Sequence, residues 1–235
     1  INEIAYSNMK QLFSLILLAG LNSLLFAHGV LVNRQDANEF LFLRGTALDI
    51  QVSNQIAIVK SQQTFVNLVD SGFQFTYAFP LPSSANATAL RWEIDGTWYE
   101  ANFASSAQDT SVTDPPTSGN PGSPGNPSLL EQYVGDNPLY FKPEFTLAYG
   151  QSIKFEITYV QLLDYKRGKV TFQYPNDYTL IQNNALETHD LNFQLSSDRL
   201  ITQINLESHT GATIVNTGNQ ATVQYGVAFQ LPTDE

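Results

Sequence analysis

Residues 62–82 read QQTFVNLVDSGFQFTYAFPLP, two alternating apolar runs joined by a polar turn at Gly72. In the second run Phe73, Phe75, Tyr77 and Phe79 share one face and Gln74, Thr76 and Ala78 the other, the period-2 pattern of a half-buried strand. Each buried aromatic side chain covers roughly 150–250 Å², so four on one face require an opposing sheet. Pro80 and Pro82 end the strand, since each lacks a ladder donor and pushes its predecessor into extended geometry. The long run 56–66 is expected to pair with this aromatic strand.

Outward from that stretch, residues 46–53 alternate with Leu48, Ile50 and Val52 on one side, and 40–43 reads as a short first strand after a polar, irregular 28–39. ALRWEI and TWYEANF flank Asp95-Gly96, the signature of a two-residue type I′ hairpin in which both turn residues need positive φ. Ser128-Leu129-Leu130-Glu131 has the form of a capping box opening one short helix, and 139–141 reads as a strand. Residues 153–163 alternate strictly, and Lys166-Arg167-Gly168-Lys169 turns the chain into Val170, Phe172 and Tyr174, which is expected to pair back on 153–163. Strands are expected at 191–195, 200–206, 213–215 and 221–231, the last lining Val223, Tyr225, Val227 and Phe229 on one face. Beyond the amino-terminal segment nothing has helical apolar spacing. The fold class is therefore all-β, an antiparallel β-sandwich with additional C-terminal strands.

The ordered set Thr64-Phe65-Val66-Asn67, Tyr77-Ala78-Phe79-Pro80-Leu81-Pro82, Leu129-Leu130-Glu131-Gln132 and Tyr159-Val160-Gln161-Leu162 resembles the vault protein inter-alpha-trypsin domain. The resemblance spans about 44–175 and implies a non-enzymatic β-sandwich module of secreted and cell-surface proteins, commonly followed by a von Willebrand factor A domain. Where many members carry a charged helical segment before the LLEQ-like element, this chain has DPPTSGNPGSPGNP.

With 235 residues, 43% of them hydrophobic, the chain can bury a full core, while only 14% are charged. The net charge of −11 argues against nucleic acid, whose phosphates demand clustered Lys and Arg; 166–169 is the single basic cluster. There is no cysteine, which excludes disulfides, thiol catalysis and Cys-ligated zinc.

Met9-Lys10 followed by LFSLILLAGLNSLLFA reads as a signal peptide over 9–27, too short and too interrupted by Asn22 and Ser23 to span a membrane. The expected organisation is upstream or untranslated residues 1–8, the signal peptide, a sandwich over 40–175 with a flexible Pro/Gly insertion at 104–127, and an additional, truncated β unit at 186–235 preceding a further domain. The expected location is extracytoplasmic, with no membrane span after cleavage.

Candidate chemistry is sparse. Asp109-Thr110-Ser111-Val112-Thr113 has the look of an A-domain cation site but sits in the Pro/Gly insertion, where no oxygens are pre-positioned, so no metal is assigned. His28, His189 and His209 stand beside no nucleophile elbow, and His189 and His209, in turns between strands, read as solvated turn residues. Glu93, Asp95 and Glu100 surround one hairpin and raise the alternative of a carbohydrate-active or sugar-binding sandwich, which needs two carboxylates about 5–10 Å apart. Trp92 groups with the core, whereas Trp98, Tyr99 and Phe103 form the candidate interaction surface. Asn86-Ala87-Thr88 matches the glycosylation sequon. No catalytic residue or cofactor is assigned. The leading expectation is a non-catalytic extracellular or cell-envelope module that holds a protein or a matrix component. A structural subunit of a surface fibre is the third reading.

Overall fold

The computed structural model describes residues 28–101, 128–174, 176–206 and 209–229. In chain order these form β1 (Val30–Asn33), β2 (Phe42–Ser53), β3 (Ile56–Val66), β4 (Phe75–Pro80), β5 (Ala85–Ile94), β6 (Thr97–Glu100), α1 (Leu129–Val134), β7 (Pro138–Phe141), β8 (Ser152–Leu162), β9 (Asp164–Lys166), β10 (Lys169–Thr171), β11 (Thr188–Ser196), β12 (Thr213–Asn216) and β13 (Gln220–Val227). The all-β sandwich is what the alternation required. An eight-stranded sheet, ordered β12-β13-β11-β2-β3-β8-β5-β6, faces a three-stranded sheet ordered β1-β4-β7. The C-terminal strands extend the large sheet through β11, which lies parallel to β2 while its other ladders run antiparallel.

The aromatic strand does have its opposing layer. Tyr77 stacks flat on Phe155 of β8 with centroids 4.3 Å apart, Phe75 meets the same ring edge-on at 6.2 Å, and Phe79 lies against Tyr159 at 5.9 Å. Offset and edge-on contacts align the ring quadrupoles, worth roughly 0.5–1.5 kcal/mol per pair beyond burial. Two sequence expectations about this strand are corrected. First, β3 pairs with β2 and β8, and β4 instead joins β1 and β7 in the other layer, because residues 67–74 carry the chain across the sandwich. Second, β4 is buried on both faces, Thr76 and Ala78 included, since α1 lies against its far side.

The first strand is β1, within the segment expected to be irregular, and Val30, Leu31 and Val32 are fully buried. Residues 200–206 are not a strand, and Phe229 stands 75% exposed at a φ of 61° rather than lining the β13 face. The basic turn forms where expected, but β9 and β10 pair only with each other, and β8 is taken by β3 and β5.

The helix is held by its cap. Ser128 Oγ accepts from the Glu131 amide at 3.2 Å while Glu131 Oε2 accepts from the Ser128 amide at 2.7 Å. Six residues are well short of the about 12–15 needed for a helix stable by itself, so the buried stripe Leu130, Tyr133 and Val134 supplies the rest. Asn67 fastens the chain where it passes between the two layers. Fully buried, it donates from Nδ2 to the carbonyls of Ser71 at 2.9 Å and Leu147 at 3.0 Å, closing the crossing between layers. Among the other motif residues, Phe65, Tyr77, Phe79, Leu130 and Tyr159 are core, Val160 faces outward, and Gln161 Nε2 donates to Ser84 Oγ at 3.3 Å. The Leu81 amide donates to the Asn137 carbonyl at 3.2 Å, and the Gln132 amide donates within the helix to Ser128 at 3.0 Å.

Candidate functional site

The Asp95-Gly96 hairpin closes as its sequence dictates, with φ of 51° and 78° at the two turn residues. Its register sets Ile94 opposite Thr97, Glu93 opposite Trp98, Trp92 opposite Tyr99 and Arg91 opposite Glu100. A two-residue turn makes Ile94/Thr97 a hydrogen-bonded pair, and the Ala101 amide donating to Leu90 at 2.9 Å continues that alternation. The amides of Trp98 and Glu100 therefore point away from β5. Strand β6 is the end of the eight-stranded sheet and is exposed along its whole length.

Each face of this edge carries an aromatic ring. On the core side Trp92, half-buried against Phe155 at 6.2 Å and Phe141 at 4.8 Å, stacks on Tyr99 at 5.8 Å. A run of rings thus leads from Tyr77 through Phe155 and Trp92 to Tyr99, which is 48% exposed. On the outer side Trp98, 37% exposed, has the Arg91 guanidinium 4.3 Å above its ring and the Lys154 ammonium 5.8 Å away. Those cations are themselves fixed, Arg91 to Glu156 at 2.7 Å and Lys154 to Glu93 at 2.9 Å. The Glu156 bond also raises the Arg91 pKa, so its charge is constant. Trp98 and Tyr99 stand on opposite faces of β6, both partly exposed. Phe103 lies outside the described residues, as do Asp109-Thr110-Ser111-Val112-Thr113 and the 9–27 segment.

The three carboxylates of the hairpin lie in three separate settings. Glu93 is tied to Lys154, Asp95 accepts from Gln151 at 3.1 Å, and Glu100 faces Arg91 in the ladder. Asn86 of the sequon is exposed on β5, and Thr88 Oγ1 donates to the Thr158 carbonyl at 3.2 Å.

The histidines depart furthest from expectation. His189 and His209 are buried rather than solvated, His28 is buried as well, and the three converge on one polar seam inside the sandwich. His28 bonds Asn176 through Nε2 and meets the Tyr174 hydroxyl at 3.2 Å through Nδ1. Tyr174 meets Ser61 Oγ at 2.6 Å, Gln63 donates to Ser61, and Tyr77 donates to Gln63 Oε1 at 2.8 Å. His189 meets Thr46 Oγ1 at 2.7 Å, its ring 6.4 Å from His28 and 5.9 Å from His209, which sits edge-on to Tyr225 at 4.4 Å. Desolvation holds the hydroxyls of Tyr77, Tyr133 and Tyr159 protonated well above the usual tyrosine range. These bonds pair His28 with Asn176 and Tyr174, Ser61 with Tyr174 and Gln63, and Thr46 with His189 in the interior, where buried polar groups are found bonded. Among the described residues no group of His, Asp and Glu side chains is arranged to hold a metal ion, and no helix is long and apolar enough to cross a membrane.

The sequence model of the vault protein inter-alpha-trypsin domain matches residues 43–159. None of the curated proteins matches the chain. Among solved structures, a protein of Legionella pneumophila with a provisional nutrient-binding description is similar at a TM-score of 0.51 and 12% identity, covering 89% of this chain and 68% of that one. An M1 zinc metallopeptidase of Deinococcus radiodurans is similar at a TM-score of 0.43 and 8% identity, covering 89% of this chain and 41% of the peptidase, so this chain spans less than half of it.

Proposed function

Residues 43–159 are a vault protein inter-alpha-trypsin domain, and from that premise we propose that the chain is a non-catalytic module that holds a protein partner outside the cytoplasm, through the β6 edge. The observation that carries this reading is the edge itself, a fully exposed strand with outward amides at Trp98 and Glu100 and a ring on each face. An extended partner segment would add as a ninth strand, main-chain bonds giving affinity and the two rings giving side-chain selectivity. The edge is already paired into the sheet through β5 and β8, and a preformed strand has little ordering to lose on binding. A sugar-binding or glycosidic reading has less support, because Glu93 is paired with Lys154, Asp95 accepts from Gln151 and Glu100 lies opposite Arg91 in the ladder.

The test is a matched pair of variants against a partner recovered by cross-linking to the wild-type chain. Tyr99→Ala removes a ring, and Glu100→Pro removes an outward donor while leaving the β5 ladder intact. Both should weaken binding at least about tenfold, the loss typical of a central interface residue. Wild-type affinity in both variants would exclude the β6 edge.

A further inference from the structure

The β9–β10 ribbon belongs to neither sheet of the sandwich and projects from one end of it. Its root is fixed by reciprocal bonds between residues 55 and 163, the Leu163 amide to the Gln55 carbonyl at 2.7 Å and Gln55 Nε2 to the Leu163 carbonyl at 3.1 Å. The loop 197–200 reaches the same end, since the Asn54 amide donates to Ser196 at 2.9 Å and Arg199 Nη1 donates to the Tyr165 hydroxyl at 3.0 Å.

Four of the chain's eleven basic residues gather here, Lys166, Arg167, Lys169 and Arg199, against two carboxylates, Asp164 and Asp198. Lys166 is bonded to Asp164 at 2.8 Å, while Asp198 accepts from Asn54 Nδ2 at 3.0 Å. Arg167 and Lys169 have no ion-pair partner among the described residues and are exposed. The register places Lys166 directly opposite Lys169, and Asp164 on the same face offsets only one of the two charges. Elsewhere the basic residues Arg44, Arg91 and Lys154 are already ion-paired.

The same end exposes apolar side chains. Tyr165 and Val170 face each other across the ribbon at 45% and 37% exposure, flanked by Leu162 at 63% and Leu200 at 69%. We propose that this end of the sandwich docks on an anionic lipid surface, the cations on headgroup phosphates and Leu162, Tyr165, Val170 and Leu200 at the acyl boundary. Cations beside aliphatic and aromatic side chains are the composition of interfacial anchors. A projecting tip suits a deformable surface, which needs no preformed pocket to receive it. The remaining acidic charge of this −11 chain opposes contact only within a Debye length, about 8 Å at physiological salt, which favours this end as the point of approach.

The experiment is co-sedimentation of the full chain with vesicles of phosphatidylcholine containing phosphatidylglycerol, against pure phosphatidylcholine. The apolar 9–27 segment is common to every arm, so differences between variants read the ribbon. Lys166→Ala/Arg167→Ala/Lys169→Ala should lower partition onto the anionic vesicles about a hundredfold, from about 1 kcal/mol per cation near such a surface. Leu162→Ser/Leu200→Ser should weaken it further at high salt. Unchanged circular dichroism and melting would show the sandwich intact in both. Equal partition of wild type and the triple variant, or equal binding to both vesicle types, overturns the proposal. So does a triple variant that loses self-association or polyglutamate binding while its vesicle partition is unchanged, since the partner is then an acidic protein.

Discussion

Two stacked pairs of aromatic rings lie on one continuous run, and they serve opposite ends. Tyr77 on Phe155 is closed on every side, with both residues fully buried. Trp92 on Tyr99 has almost the same parallel geometry, tilted 15° against 5°, yet Tyr99 is 48% exposed. The contact type is shared, so geometry does not separate them; what each ring covers does. The inner pair joins two sheets whose apolar faces have nowhere else to go, and its energy goes into the fold. The outer pair sits at the end of the large sheet, where Phe141 of the small one covers Trp92 and leaves Tyr99 half open.

The comparison is broken most readily at Phe155, whose ring touches Phe75, Tyr77 and Trp92 together. Phe155→Ala should cost about 3–5 kcal/mol, the combined loss of transfer energy and the cavity left between close-packed layers. Urea unfolding with an unchanged slope reads it directly. A similar loss for Tyr99→Ala would show that both pairs serve the fold.

Alkaline pH tests the same interior without a cavity. Burial raises the folded-state values of Tyr77, Tyr133 and Tyr159 above the ordinary 10.0. Below about pH 10 both states hold these protons and stability is complete; above it the unfolded chain ionises first, so stability falls as pH rises toward the folded values. Each tyrosine contributes up to about 1.4 kcal/mol per pH unit. Tyr77→Phe should make the decline shallower, as followed by chemical unfolding at successive pH values, while lowering stability near neutrality by about 1–3 kcal/mol because Gln63 Oε1 loses its donor. A slope identical to wild type would remove Tyr77 from the closed interior.

How much of this could be read from residue order depends on the range of the interaction. The hairpin at Asp95-Gly96 and the helix opened by Ser128 rest on contacts within a few positions, and both appear as expected. The alternation in 73–79 showed which rings share a face but not which strand lies beside them, since a period of two fixes orientation and leaves partnership open. β3 accordingly lies between β2 and β8 and not beside the aromatic strand. Val30-Leu31-Val32 carries no signal in the sequence, because a strand so short, directly after an apolar stretch, has no periodicity of its own. The histidine seam had no local signal at all. His28 and Asn176 are 148 positions apart, and Thr46 and His189 are 143 apart. Of the candidate surface, Trp98 and Tyr99 were legible as opposite faces of one strand. The cations that cover Trp98 were not, because Lys154 comes from another strand.

The hairpin turn links the two regions and gives an intermediate effect. A Cβ at Gly96 would meet nothing within 4 Å, but the φ of 78° is one that side-chain-bearing residues rarely adopt. Gly96→Ala should therefore cost about 1–2 kcal/mol through the backbone alone. Amide exchange should quicken at 97–100 and stay slow at 153–159, sharpening the boundary between edge and core. Equal quickening in both would mean that they open as one unit.

The smallest stability effect should belong to Trp98. Removing its indole forfeits the contacts with Arg91 and Lys154, worth about 0.5–1 kcal/mol at an exposed site. Neither cation is stranded, because Arg91 keeps Glu156 and Lys154 keeps Glu93. Trp98→Ala should thus move the melting transition by only a few degrees while costing partner affinity at least tenfold, reversing the order of effects at Phe155. A surface ring merely sheltering its own cations would show the small destabilisation and nothing more. The affinity measurement therefore distinguishes a covered edge from one held ready for another chain.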